Sequence, residues 1–170
     1  MVVRSVVEKM SRKQIFDTMT SALNLTLKIK QTPEVLAKLQ WIKANFASQI
    51  QKKIDDALRA SKIVHFARVL VIKDLYIQVI TEYDGDERVY TEFFRKNLLE
   101  LFSIVFALAE NPPTPEQLAS PDEFFKYSTN LNIPSLGTDG QNHVKPQEEK
   151  GYFFQAYPSV LVEDILAKFL

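Results

Sequence analysis

With 170 residues, 46% of them hydrophobic, the chain is long enough for a single domain with a closed core. Lys plus Arg and Asp plus Glu both number 21, so there is no net field to attract nucleic acid, an anionic membrane or an acidic partner. Cys is absent, which excludes disulfides, thiolate metal sites and cysteine nucleophiles and makes a reducing cytoplasm the simplest home.

The opening "MVVRSVVEKMSRKQIF" interleaves Arg4, Glu8 and Lys9 with valines, so it lacks the continuous apolar region of a secretory signal. From 23 to 30, "LNLTLKIK" alternates Leu23, Leu25, Leu27 and Ile29 with Asn24, Thr26, Lys28 and Lys30, the two-residue period of a half-buried strand. "QTPEVLAK" then opens a helix, with Thr32 as N-cap, Pro33 at the first helical position and Glu34 near the positive end of the dipole. Val35, Leu39, Ile42, Phe46, Ile50, Ile54 and Leu58 recur at steps of three or four and predict one long helix to about Arg59.

"IVHFARVLVI" and "LYIQVITEY" are rich in branched and aromatic residues, and the turn between them is short enough only for an antiparallel hairpin. "YDGDERVY" follows, where Asp84 or Asp86 can cap a second long helix. Val89, Phe93, Leu98, Leu101, Val105 and Leu108 mark that helix's apolar face. Its most apolar run, "LLELFSIVFALA", contains Glu100 and is well short of the roughly 20 residues that span a bilayer, so it reads as a buried helix.

"NPPTPEQ" ends this helix, because proline removes a backbone donor and restricts the residue before it. "SPDEFFKYST" predicts a short helix capped by Ser120, and "NIPSLGTDGQNHVKPQEEKG" a polar loop. "YFFQAYP" reads as a last strand and "SVLVEDILAKFL" as a closing helix. The order strand, helix, strand, strand, helix, strand predicts a ferredoxin-like α+β fold: a βαββαβ antiparallel sheet with two helices on one face. Residues 1–170 form one domain in this reading, with its core at about 23–109 and 152–157 and a Pro-rich, polar insertion over 112–150.

The segments "VHFARVLVI" and "LYIQVITEYDGDERVY", with the helix after them, resemble a motif of largely uncharacterised bacterial proteins in the dimeric α+β barrel superfamily. The resemblance covers roughly residues 24 to 109 and is sharpest in HFAR and YDG. It implies ferredoxin-like subunits that pair through their sheets. The superfamily includes cofactor-free monooxygenases, isomerases and haem peroxidases, so it implies a fold rather than one activity.

A two-residue loop at Lys73 and Asp74 would set Ile72 against Leu75 and His65 against Glu82. One sheet face would then hold Val64, Phe66, Leu70 and Ile72 with Leu75, Ile77, Val79, Thr81 and Tyr83, and the helices would cover it. The other would carry His65, Ala67, Val69 and Val71 with Tyr76, Gln78, Ile80 and Glu82. That second face is too apolar for a solvated sheet surface, so something covers it: most economically a second copy, in a homodimer packed sheet against sheet, the rival being the C-terminal segment folded back over its own sheet.

On the same face, His65 with Glu82 is the acid/base candidate, and Tyr76 with Gln78 could orient an apolar or aromatic small molecule. The competing role for His65 and Glu82 is a cross-strand pair that shapes an interface, in a non-catalytic homo-oligomeric module. Arg68 falls on the helix-covered face and needs an acidic partner there, with Asp84, Asp86 and Glu87 as candidates and Arg68 with Asp84 read as a structural clamp. No His-and-carboxylate spacing marks a metal site. Nor does the chain call for a cofactor. Haem would need His65 or His143 as axial ligand, and "TEYDG" matches the Gly-x-x-Asp-Gly motif of dye-decolorising peroxidases only in its last two residues, with Thr81 at the first glycine.

Overall fold

The computed structural model describes residues 20–137, 151–155 and 160–169. Strand β1, Thr20–Lys28, buries Leu23, Leu25 and Leu27 on one side, as the alternation predicts. Helix α1, Pro33–Asn45, has Pro33 in its first turn and buries Leu39 and Ile42. The single long helix expected here is interrupted: a π-helical turn at Phe46–Ile50 leads into α2, Gln51–Ser61. The apolar spacing explains it. From Ile42 to Leu58 every step is four residues, which drifts by about 40° per step around an α-helix. A locally underwound turn absorbs that drift, keeping Ile42 and Ile50 on the buried face. Lys62 then ends the helical segment in the left-handed region, at φ 55°.

Strands β2, Val64–Ile72, and β3, Tyr76–Asp84, form the expected hairpin, and β3 lies between β1 and β2 in a three-stranded antiparallel sheet. The fold class is α+β. Helix α3, Glu87–Phe106, starts at Asp86, whose carboxylate accepts from the amides of Arg88 and Val89. Its buried stripe runs through Tyr90, Phe94, Leu98 and Phe106, while Val89, expected to be apolar core, is 65% exposed. Two short helices follow, α4 at Pro115–Ala119 with a Thr114 and Gln117 capping box, and α5 at Pro121–Asn130 capped by Ser120. The closing helix, α6, is Val162–Phe169. No helix among the described residues is long and apolar enough to cross a membrane.

The hairpin register differs from expectation. Lys73 and Asp74 do form a tight turn, at φ 51° and 55°, closed by Leu75 N–H donating to Ile72 O at 2.9 Å. Leu75 then leaves the ladder, because its carbonyl accepts from Ile29 N–H at the end of β1, 2.8 Å away. Pairing resumes with Ile72 opposite Tyr76, so the loop spans three residues. That one-residue slip turns β2 over relative to the reading above. Ala67, Val69 and Val71 lie on the helix side, where Val69 is still 38% exposed, while Phe66, Arg68, Leu70 and Ile72 share the open face with Tyr76, Gln78, Ile80 and Glu82. The β3 faces are as predicted.

The free edge of β1 is covered by two short segments rather than by the expected last strand. Leu108 O accepts from Lys30 N–H and Glu110 N–H donates to Lys28 O, while Leu131 O accepts from Thr26 N–H and Ile133 N–H donates to Asn24 O. Of the predicted strand at 152–158, residues 152–155 are not in a strand and the rest lie outside the described residues. The N-terminal addition, His143 and most of the polar loop lie outside them too.

The two registers predict opposite mutational outcomes. Val71→Asp places a carboxylate against the core and is expected to cost the subunit about 3 kcal/mol or more, whereas Leu70→Asp on the open face costs the subunit itself, apart from any pairing of copies, under about 1 kcal/mol. Urea unfolding of the two variants distinguishes them, and the reverse ranking would restore the two-residue loop.

Candidate functional site

The polar residues of the hairpin meet at Asp84, not at Glu82. A register shift between Val64 and Phe66 makes His65 the extra residue of a β-bulge, and bulges re-aim side chains. Here the imidazole turns toward the end of β3, with Nε2 2.7 Å from Asp84 Oδ1. Thr20 Oγ1 donates to the same oxygen at 2.9 Å, and Val162 N–H donates to Oδ2 at 2.7 Å. The side chains of His65 and Asp84 are only 13% and 8% exposed. One carboxylate therefore joins the start of β1, the start of β2 and the first residue of α6.

This overturns the His65–Glu82 pairing: in the observed register Glu82 sits opposite Phe66 and Ala22, on the open face. The Arg68–Asp84 clamp is also corrected. Arg68 lies exposed on that same open face, opposite Ile80, and makes no ion pair with a described residue. Asp84 does fasten the fold, but through His65, Thr20 and α6. Tyr76 and Gln78 fall on the open face as expected. Gln78 Nε2 donates to Thr26 Oγ1 at 3.1 Å, which occupies one of its donors within the sheet.

Two cavities flank this end of the molecule. A cleft of about 210 Å³ has Asp84 in its wall, with Ile63, Gly85, Val89 and Leu161, but not His65. A wider groove of about 470 Å³ runs between α3 and α5, lined by Arg88, Phe93, Lys96 and Phe125 among others. Its charges are internally matched: Arg88 pairs with Asp122 and lies over the Phe125 ring, and Lys96 pairs with Glu92. Arg95, donating twice to Glu92, holds that carboxyl down to about 2. Among the described residues, no three His, Asp or Glu side chains converge as a metal site would require.

Behind the hairpin, Tyr83 stacks on Tyr90 at 4.0 Å, and Tyr90 donates to Thr81 Oγ1 at 2.9 Å. Burial pushes Tyr83 well above its ordinary value and Tyr90 up to about 12. The alternation of β3 marks Tyr83 as buried, but no feature of the sequence marks Tyr90 as its partner.

Chemically, the arrangement suits fastening better than catalysis. Asp84's two oxygens accept three hydrogen bonds, and the ring nitrogen facing it is committed to the pair. A double-mutant cycle tests the assignment. His65→Ala is expected to cost about 1–3 kcal/mol and to be coupled to Asp84→Ala, whereas Glu82→Ala costs under about 0.5 kcal/mol and adds independently. Coupling of His65 to Glu82 instead would reverse it.

The tyrosine pair predicts alkaline sensitivity. A tyrosine whose folded value is raised from 10 to about 12 contributes stability that is complete below pH 10 and is lost as the pH rises through about 12. Tyrosinate absorbance should therefore show Tyr90 titrating late, with unfolding midpoints falling over that window. A flat stability profile from pH 9 to 12 would contradict it.

Comparison of the chain with protein-family models, with curated proteins and with solved structures finds no match, so the reading of this site rests on its own geometry.

Proposed function

We propose that the protein is a non-catalytic, homo-oligomeric interaction module: a ferredoxin-like subunit that dimerises through the open face of its sheet. The observation that carries this is Phe66, 72% exposed on the open face near the start of β2, with Leu70, Ile72 and Tyr76 exposed on the same face toward the hairpin turn. An antiparallel sheet with one face in water normally alternates toward polar residues on that face. A cluster of this kind marks an interface.

A second copy of the chain is the partner the chemistry favours. The same face carries Arg68 and Glu82, neither of which enters an ion pair with a described residue. A twofold axis presents each surface to itself, so Arg68 of one subunit can meet Glu82 of the other. The β1-β3-β2 order, with the helices on one side, fits a ferredoxin-like subunit, and the HFAR and YDG resemblance favours sheet-to-sheet pairing independently.

Acid/base or oxygenase-type chemistry on an apolar ligand, with the site on this face, is the weaker reading. Tyr76, Gln78 and Glu82 are there, but His65 is turned away to Asp84.

Analytical ultracentrifugation tests the proposal. The wild-type chain is expected to be dimeric at micromolar concentration, Phe66→Glu monomeric with an unchanged circular-dichroism spectrum, and Arg68→Glu weakened by about tenfold in dimer affinity. The double variant Arg68→Glu with Glu82→Arg should regain that affinity. A wild-type chain that stays monomeric at tens of micromolar (roughly the range of weak interfaces) would overturn the reading.

A further inference from the structure

Helix α6 takes the acceptor for its first amide from another element. The residue before it, Leu161, has no side-chain acceptor to offer the Val162 amide. Half of a capping box is present, since Asp164 accepts from Leu161 N–H at 3.0 Å. The missing acceptor is supplied from β3, by Asp84 Oδ2 at 2.7 Å from Val162 N. Thr20 and His65 hold the other carboxylate oxygen and so fix its direction.

The helix is otherwise lightly attached. None of its residues is buried, and Ile165 and Phe169 are 40% and 81% exposed. It touches the body at its first turn, where Leu161 and Glu163 form one wall of the 210 Å³ cleft and Ile63, Gly85 and Val89 form the other. An eight-residue helix is marginal in water when its apolar side is not packed.

We propose that α6 is a releasable strap, capped in its closed position by the Asp84 carboxylate. Loss of that one hydrogen bond shifts residues 160–169 toward an open position in which the cleft opens onto Ile63 and Gly85, while the sheet and α3 stay folded. The inference stands on the geometry at Asp84 and is independent of dimerisation through the open face.

Native-state hydrogen exchange on the full chain tests it, with Val162→Pro as the variant. Proline is tolerated in the first helical turn, so this change deletes the amide that Asp84 accepts and leaves Asp84, His65 and Thr20 in place. In the wild type, amides of α6 are expected to exchange by local opening, before those of α3. In Val162→Pro, the α6 amides beyond residue 163 should exchange about tenfold faster, the size of a lost cap, with α3 and β3 unchanged. Three results would overturn the proposal: wild-type α6 protected as strongly as α3, α6 exchange unaffected by the proline, or exchange rising equally in α3 and β3.

Discussion

The hydrogen bond from Ile29 to the carbonyl of Leu75 decides which surface this protein shows to its surroundings. Leu75 can either extend the β2–β3 ladder or hold the end of β1, and it does the second. The hairpin therefore closes over three residues, and β2 meets β3 with Val69 opposite Val79, on the side where β1 contributes Leu25. Because side chains alternate, that choice sends Phe66, Leu70 and Ile72 to the open face in one step. Asp74 reinforces the same corner: its carboxylate accepts from Gln40 and Lys43 of α1, which ties the hairpin turn to the first helix.

Most of the elements were legible because their signals are local. The alternation of Leu23, Leu25 and Leu27, the Thr32–Pro33 start and the Ser120–Pro121 start each depend on a few neighbouring residues, and each element appears. The β3 faces were legible too, since Ile77, Val79, Thr81 and Tyr83 alternate cleanly with Tyr76, Gln78, Ile80 and Glu82. The register of β2 was not, because "VHFARVLVI" is apolar on both faces and so accepts either pairing. Its position follows from a contact made 46 residues away, between Ile29 and Leu75.

The candidate site failed to be legible for the same reason. His65 was visible as the only histidine in the sheet, but its partner depends on a bulge, and a bulge has no signature in a stretch without glycine. Once the bulge is in place the imidazole reaches the end of β3 rather than the strand beside it. Asp84 could be read as a cap, and it is one, though for a helix 78 residues further along the chain rather than for the next one. Asp86 caps the nearby helix. Two acidic residues flanking Gly85 thus serve two different helices, one that follows at once and one far along the chain.

The two borders of the sheet are treated differently, and this limits how copies of the chain can add to one another. Along β1, Leu108–Glu110 and Leu131–Ile133 take up backbone groups that would otherwise face outward. Along β2, no described residue bonds to the outward backbone groups. Strand addition at the β1 border is therefore blocked, and only the β2 border is without a described cover. Two copies joined there by a twofold axis would use up each other's open border, so growth stops at a pair and an endless ribbon of sheets has no second end on which to build.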